Sequence, residues 1–199
     1  MLDKGGAMNN ILYNWSKGIH LLALLSLTLV VLFVPKDNMA LFLVWMQIPV
    51  YYLHELEEYH LPGGWDTLMN KTVTGRETPI MPFIAKSSFV INVGLIWILF
   101  PIATLLATFV DIRFGLYPVF FSLIAVFPHF GIFMRKGYNP GVLTSLLLNL
   151  PTTIGALYYL NTENYINKID NLWGFLFAFA VSAIFLGGTF VIANIKEKR

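Results

Sequence analysis

Runs of about twenty apolar residues recur along this chain, and they constrain its fold more than any other feature. Six such runs can be marked, at residues 16–34, 39–59, 87–110, 114–134, 140–160 and 172–193. An α-helix rises 1.5 Å per residue, so most of these runs can cross a hydrocarbon core of roughly 30 Å. We therefore predict an all-α integral membrane protein, with six transmembrane helices in one bundle and a single domain over residues 1–199.

The composition supports this class and excludes several others. Hydrophobic residues make up 57% of the chain and charged residues 12%, whereas a soluble domain has roughly a quarter charged residues. These values exclude a soluble enzyme, a disordered tail and a nucleic-acid-binding module. The chain has no cysteine, so any metal must be bound by its four His and eleven acidic residues.

The distribution of Lys and Arg predicts the orientation in the membrane. With six spans, both termini and the long segment 60–86 lie on one side, which carries ten of the thirteen basic residues. The other side carries the remaining three, Lys36, Arg113 and Lys168. We therefore expect a multi-pass protein of the cell membrane with cytoplasmic termini and a long cytoplasmic loop at 60–86. Whether this loop is a lid is left open.

Prolines and one asparagine predict where the helices start and bend. Asn139 followed by Pro140 is typical of a helix start, with Asn as the N-cap and Pro at the first helical position. Several prolines interrupt the apolar runs, among them Pro49, Pro101, Pro128 and Pro151. Each leaves a backbone carbonyl without its helical donor, which in a membrane needs water, a side chain or a ligand. Kinked helices of this kind predict a cavity that opens to the cytoplasm.

The second run ends in the densest group of ionisable residues in the chain, His-Glu-Leu-Glu-Glu from residue 54. Ionisable groups in a transmembrane helix are costly and indicate function by default. His54, Glu57 and Glu58 are three and four residues apart, so they lie on one side of the helix. Two more polar residues extend this stripe toward the membrane centre: Gln47 and Tyr51. Glu55 points away, and we expect its carboxylate to be solvated or paired with a basic residue.

Depth in the membrane adds a second histidine to this group. His54 and His129 each lie fifteen residues from the outer end of their spans, roughly 20–25 Å from the outer face. Three further polar residues enter the same layer from the cytoplasmic side: His20, Asn92 and Asn139. We expect His60 to lie beyond the helix end, in solvent. A simpler interpretation, a helix end that carries solvated charges, stays open.

Imidazole and carboxylate groups in this arrangement suit a transition metal. We predict His54, Glu58 and His129 as ligands of Zn or Fe, with His20 as a further candidate. Glu57 is either a fourth ligand or the general base that activates a bound water. Four residues are candidates for contacts with the substrate or with the ligands: Gln47, Tyr51, Asn92 and Asn139. The spacing differs from the H-E-x-x-H of zinc proteases, and four His are too few for a di-iron desaturase.

At these residues the sequence resembles the HXXEE family of small bacterial multi-pass membrane proteins. His54, Glu57 and Glu58 meet the motif that names the family. The surroundings agree too, through Pro62-Gly63-Gly64, Asn92 and the segment Tyr138-Asn139-Pro140-Gly141. The resemblance covers residues 16–160. The family has no established activity, so the resemblance supports the site and the topology but implies no reaction.

Three functions agree with this pattern. The first is a membrane-embedded metal-dependent enzyme that acts on a lipid or amphiphilic small molecule at the cytoplasmic leaflet. It would be a hydrolase, a transferase or a non-haem iron oxidoreductase. The second is an ion- or proton-coupled transporter that uses the same His and Glu residues, although the chain lacks the internal repeat of many transporters. The third is a non-catalytic membrane partner protein, in which residues 60–86 would matter more than His54 or Glu58.

Overall fold

The computed structural model describes residues 14–78 and 85–197, and the regular structure in these ranges is helical throughout. The α-helices are α1 (Ile19–Phe33), α2 (Met39–Tyr59), α3 (Trp65–Thr74), α4 (Ala85–Asn92), α5 (Leu99–Phe109), α6 (Leu116–Lys136), α7 (Val142–Thr144), α8 (Leu150–Thr162) and α9 (Lys168–Glu197). Two π-helical segments, Val93–Ile98 and Ser145–Asn149, join α4 to α5 and α7 to α8. Short 3-10 turns at Trp15–Gly18 and Ile112–Gly115 precede α1 and α6.

Five helical stretches in the described ranges are long and apolar enough to cross a membrane. They are Trp15–Phe33, Ser87–Phe109, Ile112–Lys136, Val142–Thr162 and Lys168–Phe185. This finding supports the predicted class, a helical membrane protein with several spans. Helix α2 has 21 residues and is long enough to cross, but its polar residues keep it out of this apolar group.

Helix α2 lies at the centre of the bundle. It packs against α1, α5, α6 and α8, and the polar side chains from Gln47 to Glu58 are all buried. The surrounding apolar helices shield α2 from lipid, so it can carry ionisable residues that a lipid-facing helix could not. One polar helix among apolar neighbours is therefore a consequence of its central position.

Two of the prolines that were expected to interrupt helices follow the π-helical segments. A proline cannot donate to the carbonyl four residues before it, and for both Pro101 and Pro151 that carbonyl belongs to the π segment. Pro49 and Pro128 lie inside the continuous helices α2 and α6. Both π segments border the candidate site, as π-turns often do.

The segment 60–86 contains a helix and is not a plain loop. Helix α3 begins after Gly64 and ends before Gly75, and these two glycines have φ angles of +94° and +71°. Glycine adopts such angles without the strain that other residues incur. Residues 79–84, with Pro79 and Pro82, lie outside the described residues, as do Lys4, Lys198 and Arg199 from the prediction of orientation.

The prediction that a helix starts at residue 140, with Asn139 as its N-cap, is wrong. Helix α7 begins at Val142, directly after Gly141 with its φ of +94°. Asn139 is buried and its amide bonds to His129, so a side chain suited to a helix cap is used elsewhere. The last helix is longer than its predicted run, since α9 covers Lys168–Glu197.

Candidate metal centre

Two histidines and a glutamate bring their ligand atoms together inside the bundle. His54 and Glu58 are one turn apart on α2, and His129 comes from α6. The Glu58 Oε1 atom lies 3.6 Å from His54 Nε2 and 3.2 Å from His129 Nε2. All three side chains are buried, and one ligand atom from each lies within 4.8 Å of the others. The two imidazole centroids are 4.7 Å apart, which agrees with the equal depth inferred from the sequence.

The hydrogen bonds of the two imidazole rings determine which nitrogen faces the glutamate. His54 Nδ1 lies 3.1 Å from the carbonyl oxygen of Gly141, so this nitrogen carries a proton and donates it. His129 Nδ1 lies 2.9 Å from Asn139 Oδ1. The Asn139 amide is oriented by its own Nδ2, which donates to the His129 carbonyl oxygen at 2.9 Å. With Nδ1 as the donor in each ring, Nε2 is the nitrogen that both rings turn toward Glu58.

This arrangement places three atoms that can each donate an electron pair against one another. His54 Nε2 is buried and has no hydrogen-bond partner within residues 14–78 and 85–197. Burying such atoms together is unfavourable unless a cation joins them. Two imidazole nitrogens and one carboxylate oxygen, with outer nitrogens held by acceptors, form a common ligand set for Zn or Fe. His54, Glu58 and His129 could therefore hold a metal ion, and a shared proton is the other way to balance the group.

Gly141 is the residue on which the three candidate ligands pack. Its φ angle of +94° is one that residues with a side chain rarely adopt. A Cβ atom here would lie 2.5 Å from His129 Cε1, 2.8 Å from His54 Cε1 and 3.0 Å from Glu58 Cγ. Glycine is therefore needed at this position both for the backbone conformation and for the close approach of the rings.

Glu57 is also buried, but its carboxylate lies apart from the three ligand atoms. It accepts hydrogen bonds from the backbone nitrogens of Leu143 at 3.3 Å and Thr144 at 2.8 Å. It also accepts from the hydroxyls of Thr144 at 2.6 Å and Tyr138 at 3.0 Å. Burial and the Glu57 carboxylate raise the pKa of Tyr138 to about 12, so this hydroxyl stays a donor. Glu57 thus clamps the start of α7. Its carboxylate does not belong to the group of ligand atoms, so the geometry does not make it a fourth ligand.

Thr144 connects this clamp to the candidate metal ligands. Its hydroxyl lies 2.6 Å from Glu57 Oε2 and 3.1 Å from His54 Nδ1. The hydroxyl can therefore donate to the carboxylate while it accepts from the imidazole. Through this bridge Glu57 helps to orient His54, although the two side chains do not bond directly.

Thr144→Val tests the bridge, because valine keeps the shape and the backbone N–H but removes the hydroxyl. We expect the free energy of unfolding to fall by about 1–3 kcal/mol, since a buried carboxylate loses its shortest hydrogen bond. Tryptophan fluorescence during unfolding in detergent measures this change. Thr152→Val is the matched control, because among the described residues the Thr152 hydroxyl bonds to the Leu148 and Asn149 carbonyls of the adjoining π segment, at 2.6 and 3.1 Å. Equal losses in the two variants would contradict the bridge.

Two more of the predicted site residues lie next to the candidate ligands. The Tyr51 ring meets His54 edge-on, with ring centroids 5.1 Å apart. Asn92 lines the same cavity as His54 and donates to the Tyr59 hydroxyl at 3.0 Å. Both residues can therefore contact a molecule bound near the ligands.

Gln47 and His20 are not brought to the ligand atoms. Gln47 lies two turns away from His54 on α2, and it accepts from the Thr153 hydroxyl at 3.3 Å. His20 is exposed, and it does not belong to the group of ligand atoms found among the described residues. Gln47 shares a helix face with His54 and His20 was inferred to share its depth, but neither property brings a side chain to the ligand atoms.

Two expectations for the end of α2 are wrong. Glu55 is fully buried and accepts from Trp97 Nε1 at 2.8 Å, instead of being solvated or paired with a basic residue. Because α2 is central, the face that carries Glu55 is interior as well. His60 lies beyond the helix end as expected, but it is half-buried, and its Nε2 lies 2.7 Å from the Ser16 carbonyl oxygen.

The candidate ligands open into a mostly apolar cavity of about 530 Å³. Its apolar walls come from several helices and include Ile91, Leu95, Ile96, Phe121, Phe175 and Phe179. Helix α3 contributes Trp65 and Asp66 to the lining. The Trp65 ring stacks on His129, with centroids 4.0 Å apart and planes inclined by 24°.

Asp66 adds a second carboxylate to the cavity besides Glu58. Its Oδ1 accepts from the Ser88 hydroxyl at 2.8 Å. Burial raises the pKa of the Asp66 carboxyl above its usual value, and the Ser88 hydrogen bond opposes this shift. The carboxyl therefore stays closer to neutrality than an exposed aspartate would.

Sequence reasoning missed Trp65, Asp66, Gly141 and Thr144. The first two follow Pro62-Gly63-Gly64, where an aromatic and an acidic residue at a turn were a usable signal. Gly141 lies in the segment Tyr138-Asn139-Pro140-Gly141, which was noted for its likeness to a family and not for its contacts. Trp65 packs on His129, the Gly141 carbonyl accepts from His54, and the Thr144 hydroxyl donates to Glu57.

A family model described as "Protein of unknown function with HXXEE motif" matches residues 45–156 of this chain. That range includes α2 from Trp45 onward, both π segments and all three candidate metal ligands. No curated protein and no solved structure matches the chain. The matched range is more than half of the 199 residues, and the chain therefore belongs to the HXXEE family, whose function is unknown.

Proposed function

We propose that this chain is a membrane-embedded metal-dependent enzyme that acts on a lipid or another amphiphilic small molecule. The observation that carries the proposal is the position of three candidate ligand atoms in the wall of a mostly apolar cavity. The cavity volume of about 530 Å³ is in the range of small-molecule sites. The apolar walls suit the hydrocarbon part of an amphiphile, and the polar wall suits the bond that reacts.

His54, Glu58 and His129 would hold Zn or Fe and leave coordination positions open for water and substrate. Such an ion polarises a carbonyl or phosphoryl oxygen and stabilises the charge that develops on it. Zn would support hydrolysis or group transfer, and Fe would support oxidation. The chain's own contribution is to orient the rings through Gly141 and Asn139 and to exclude water from the apolar walls.

We further propose that α2 is a sixth crossing helix and that both termini are cytoplasmic in a bacterial cell membrane. Helix α6 ends in Arg135 and Lys136, directly before the loop that holds Asn139 and Gly141. Basic residues of this kind favour the cytoplasmic side. The cavity would then receive its substrate from the cytoplasmic leaflet.

The test is metal content followed by lipid turnover, in wild type, His129→Ala and the control His20→Ala. We expect about one transition-metal ion per chain in wild type and the control, and almost none in His129→Ala, by mass spectrometry. Metal-loaded wild type incubated with a bacterial phospholipid extract should convert one lipid class, while His129→Ala should not. Wild type that stays empty after addition of Zn²⁺ and Fe²⁺ would overturn the proposal.

A proton- or ion-coupled transporter is the second candidate, because polar side chains continue from the site into the bundle. Ser145 Oγ lies 3.4 Å from His54 Nδ1, and Asn149 follows one turn later. Asn149 and Ser122 are fully buried, and within the described ranges their side-chain polar atoms have no hydrogen-bond partner. Such atoms need water or an ion. Proton movement by metal-free protein in liposomes would favour this candidate, and inactivity in both assays would favour a non-catalytic partner.

A further inference from the structure

The proposed reaction needs a group that accepts a proton, and few carboxylates reach the cavity. Among the described residues that line it, the carboxylates are Glu58 and Asp66. Glu58 is a candidate metal ligand, so its carboxylate is already used. Glu57 does not line the cavity, and both of its oxygens already accept hydrogen bonds around the start of α7. Asp66 is therefore the carboxylate left for proton transfer.

Two contacts hold Asp66 in place at the cavity. Trp65 stacks on His129, which holds the first turn of α3 against the candidate ligands. The Ser88 hydroxyl bonds to Asp66 Oδ1, and within residues 14–78 and 85–197 no hydrogen bond occupies Oδ2, so this oxygen can take the proton of a water or substrate. An aspartate in a first turn also stabilises its helix, but that role does not require the carboxylate to face a cavity.

We propose that Asp66 is the proton acceptor and donor of a hydrolytic reaction on an amphiphilic ester, an inference that rests on the proposed function. Asp66 takes one proton from the attacking water as the water oxygen bonds to the electrophilic carbon or phosphorus of the ester. The bond from that atom to the leaving oxygen then breaks. Asp66 returns its proton to the leaving oxygen, so the products are an acid and an alcohol and the carboxylate is regenerated.

Cobalt-loaded protein tests this inference without a known substrate. The visible spectrum of Co²⁺ changes when solvent bound to the ion loses a proton, and the pH midpoint of that change reports nearby charge. Asp66→Asn keeps an acceptor for Ser88 but removes the charge, so we expect the midpoint to fall by about one pH unit. Ser88→Ala is the control, because it removes the docking hydrogen bond and keeps the carboxylate. The other titratable groups lining the cavity, Tyr51, His54, Glu58, Tyr59 and His129, are the same in all three proteins.

Each outcome decides between the alternatives. A lower midpoint in Asp66→Asn alone, with stoichiometric Co²⁺ in all three proteins, supports Asp66 as the proton acceptor. Unchanged midpoints in both variants would overturn it, because the carboxylate would then be remote from the bound solvent. Equal shifts in both variants would also overturn it and leave Asp66 with a docking role. If wild type bound no Co²⁺, the proposed function itself would fail.

Discussion

Replacing Gly141 by alanine is expected to weaken Zn²⁺ binding by at least about a hundredfold and to lower the free energy of unfolding by about 3 kcal/mol. The new Cβ would lie 2.5 Å from His129 Cε1 and 2.8 Å from His54 Cε1, so both rings must move. Ring displacement separates the two Nε2 atoms and removes the convergence on Glu58. Competition with a chelator measures the affinity, and tryptophan fluorescence in detergent measures unfolding.

Gly75→Ala is the matched control for this variant. Gly75 also has a positive φ angle, +71°, but a Cβ there would meet nothing within 4 Å. It should cost about 1–2 kcal/mol of backbone strain and leave the Zn²⁺ affinity unchanged. If Gly141→Ala bound Zn²⁺ as tightly as wild type, the packing of both rings on this glycine could not be essential to the site.

The parts of the fold that depend on local hydropathy were predictable from the sequence. Long apolar runs locate helices to within a few residues, because length and burial in lipid decide them without long-range contacts. Helix α3 was not predicted, since its polar residues between Gly64 and Gly75 resemble a loop. Its position depends on Trp65 packing against His129, a contact between distant parts of the chain.

The candidate ligands were predictable for a related reason. His54 and Glu58 meet because regular helices place residues four apart on one face. His129 joins them because α2 and α6, each of 21 residues, place the two imidazoles side by side. These periodicities do not describe loops, so the use of Asn139 to hold His129 could not be inferred from them.

The role of Glu57 could not be predicted from the spacing of the motif. Residues three and four after His54 both lie on its side of the helix, but their side chains differ by about 100° in direction. Glu58 faces the second imidazole, whereas Glu57 faces the backbone nitrogens of Thr144 and Leu143. The distinction depends on where the loop between α6 and α7 runs, and the motif itself carries no information on that path.

Glu58→Gln is expected to weaken Zn²⁺ binding by at least about a thousandfold without loss of stability in the metal-free protein. Glutamine keeps the size of the side chain but loses the charge that the ion requires. Its amide N–H can donate to His54 Nε2, a buried atom that has no hydrogen-bond partner among the described residues. Chelator competition and unfolding of the metal-free protein in detergent give the two values.

Glu57→Gln is the partner variant, and the opposite pattern is expected. Glu57 now accepts four hydrogen bonds, from Tyr138, Leu143 and Thr144. The glutamine amide N–H would face these donors and could not accept from them. We expect unfolding free energy to fall by about 2 kcal/mol and Zn²⁺ affinity to fall only tenfold to about a hundredfold, through the Thr144 bridge to His54. Complete loss of metal with unchanged stability would instead make Glu57 a ligand. Because the two glutamates are adjacent and chemically identical, a split between affinity and stability can come only from what each carboxylate faces.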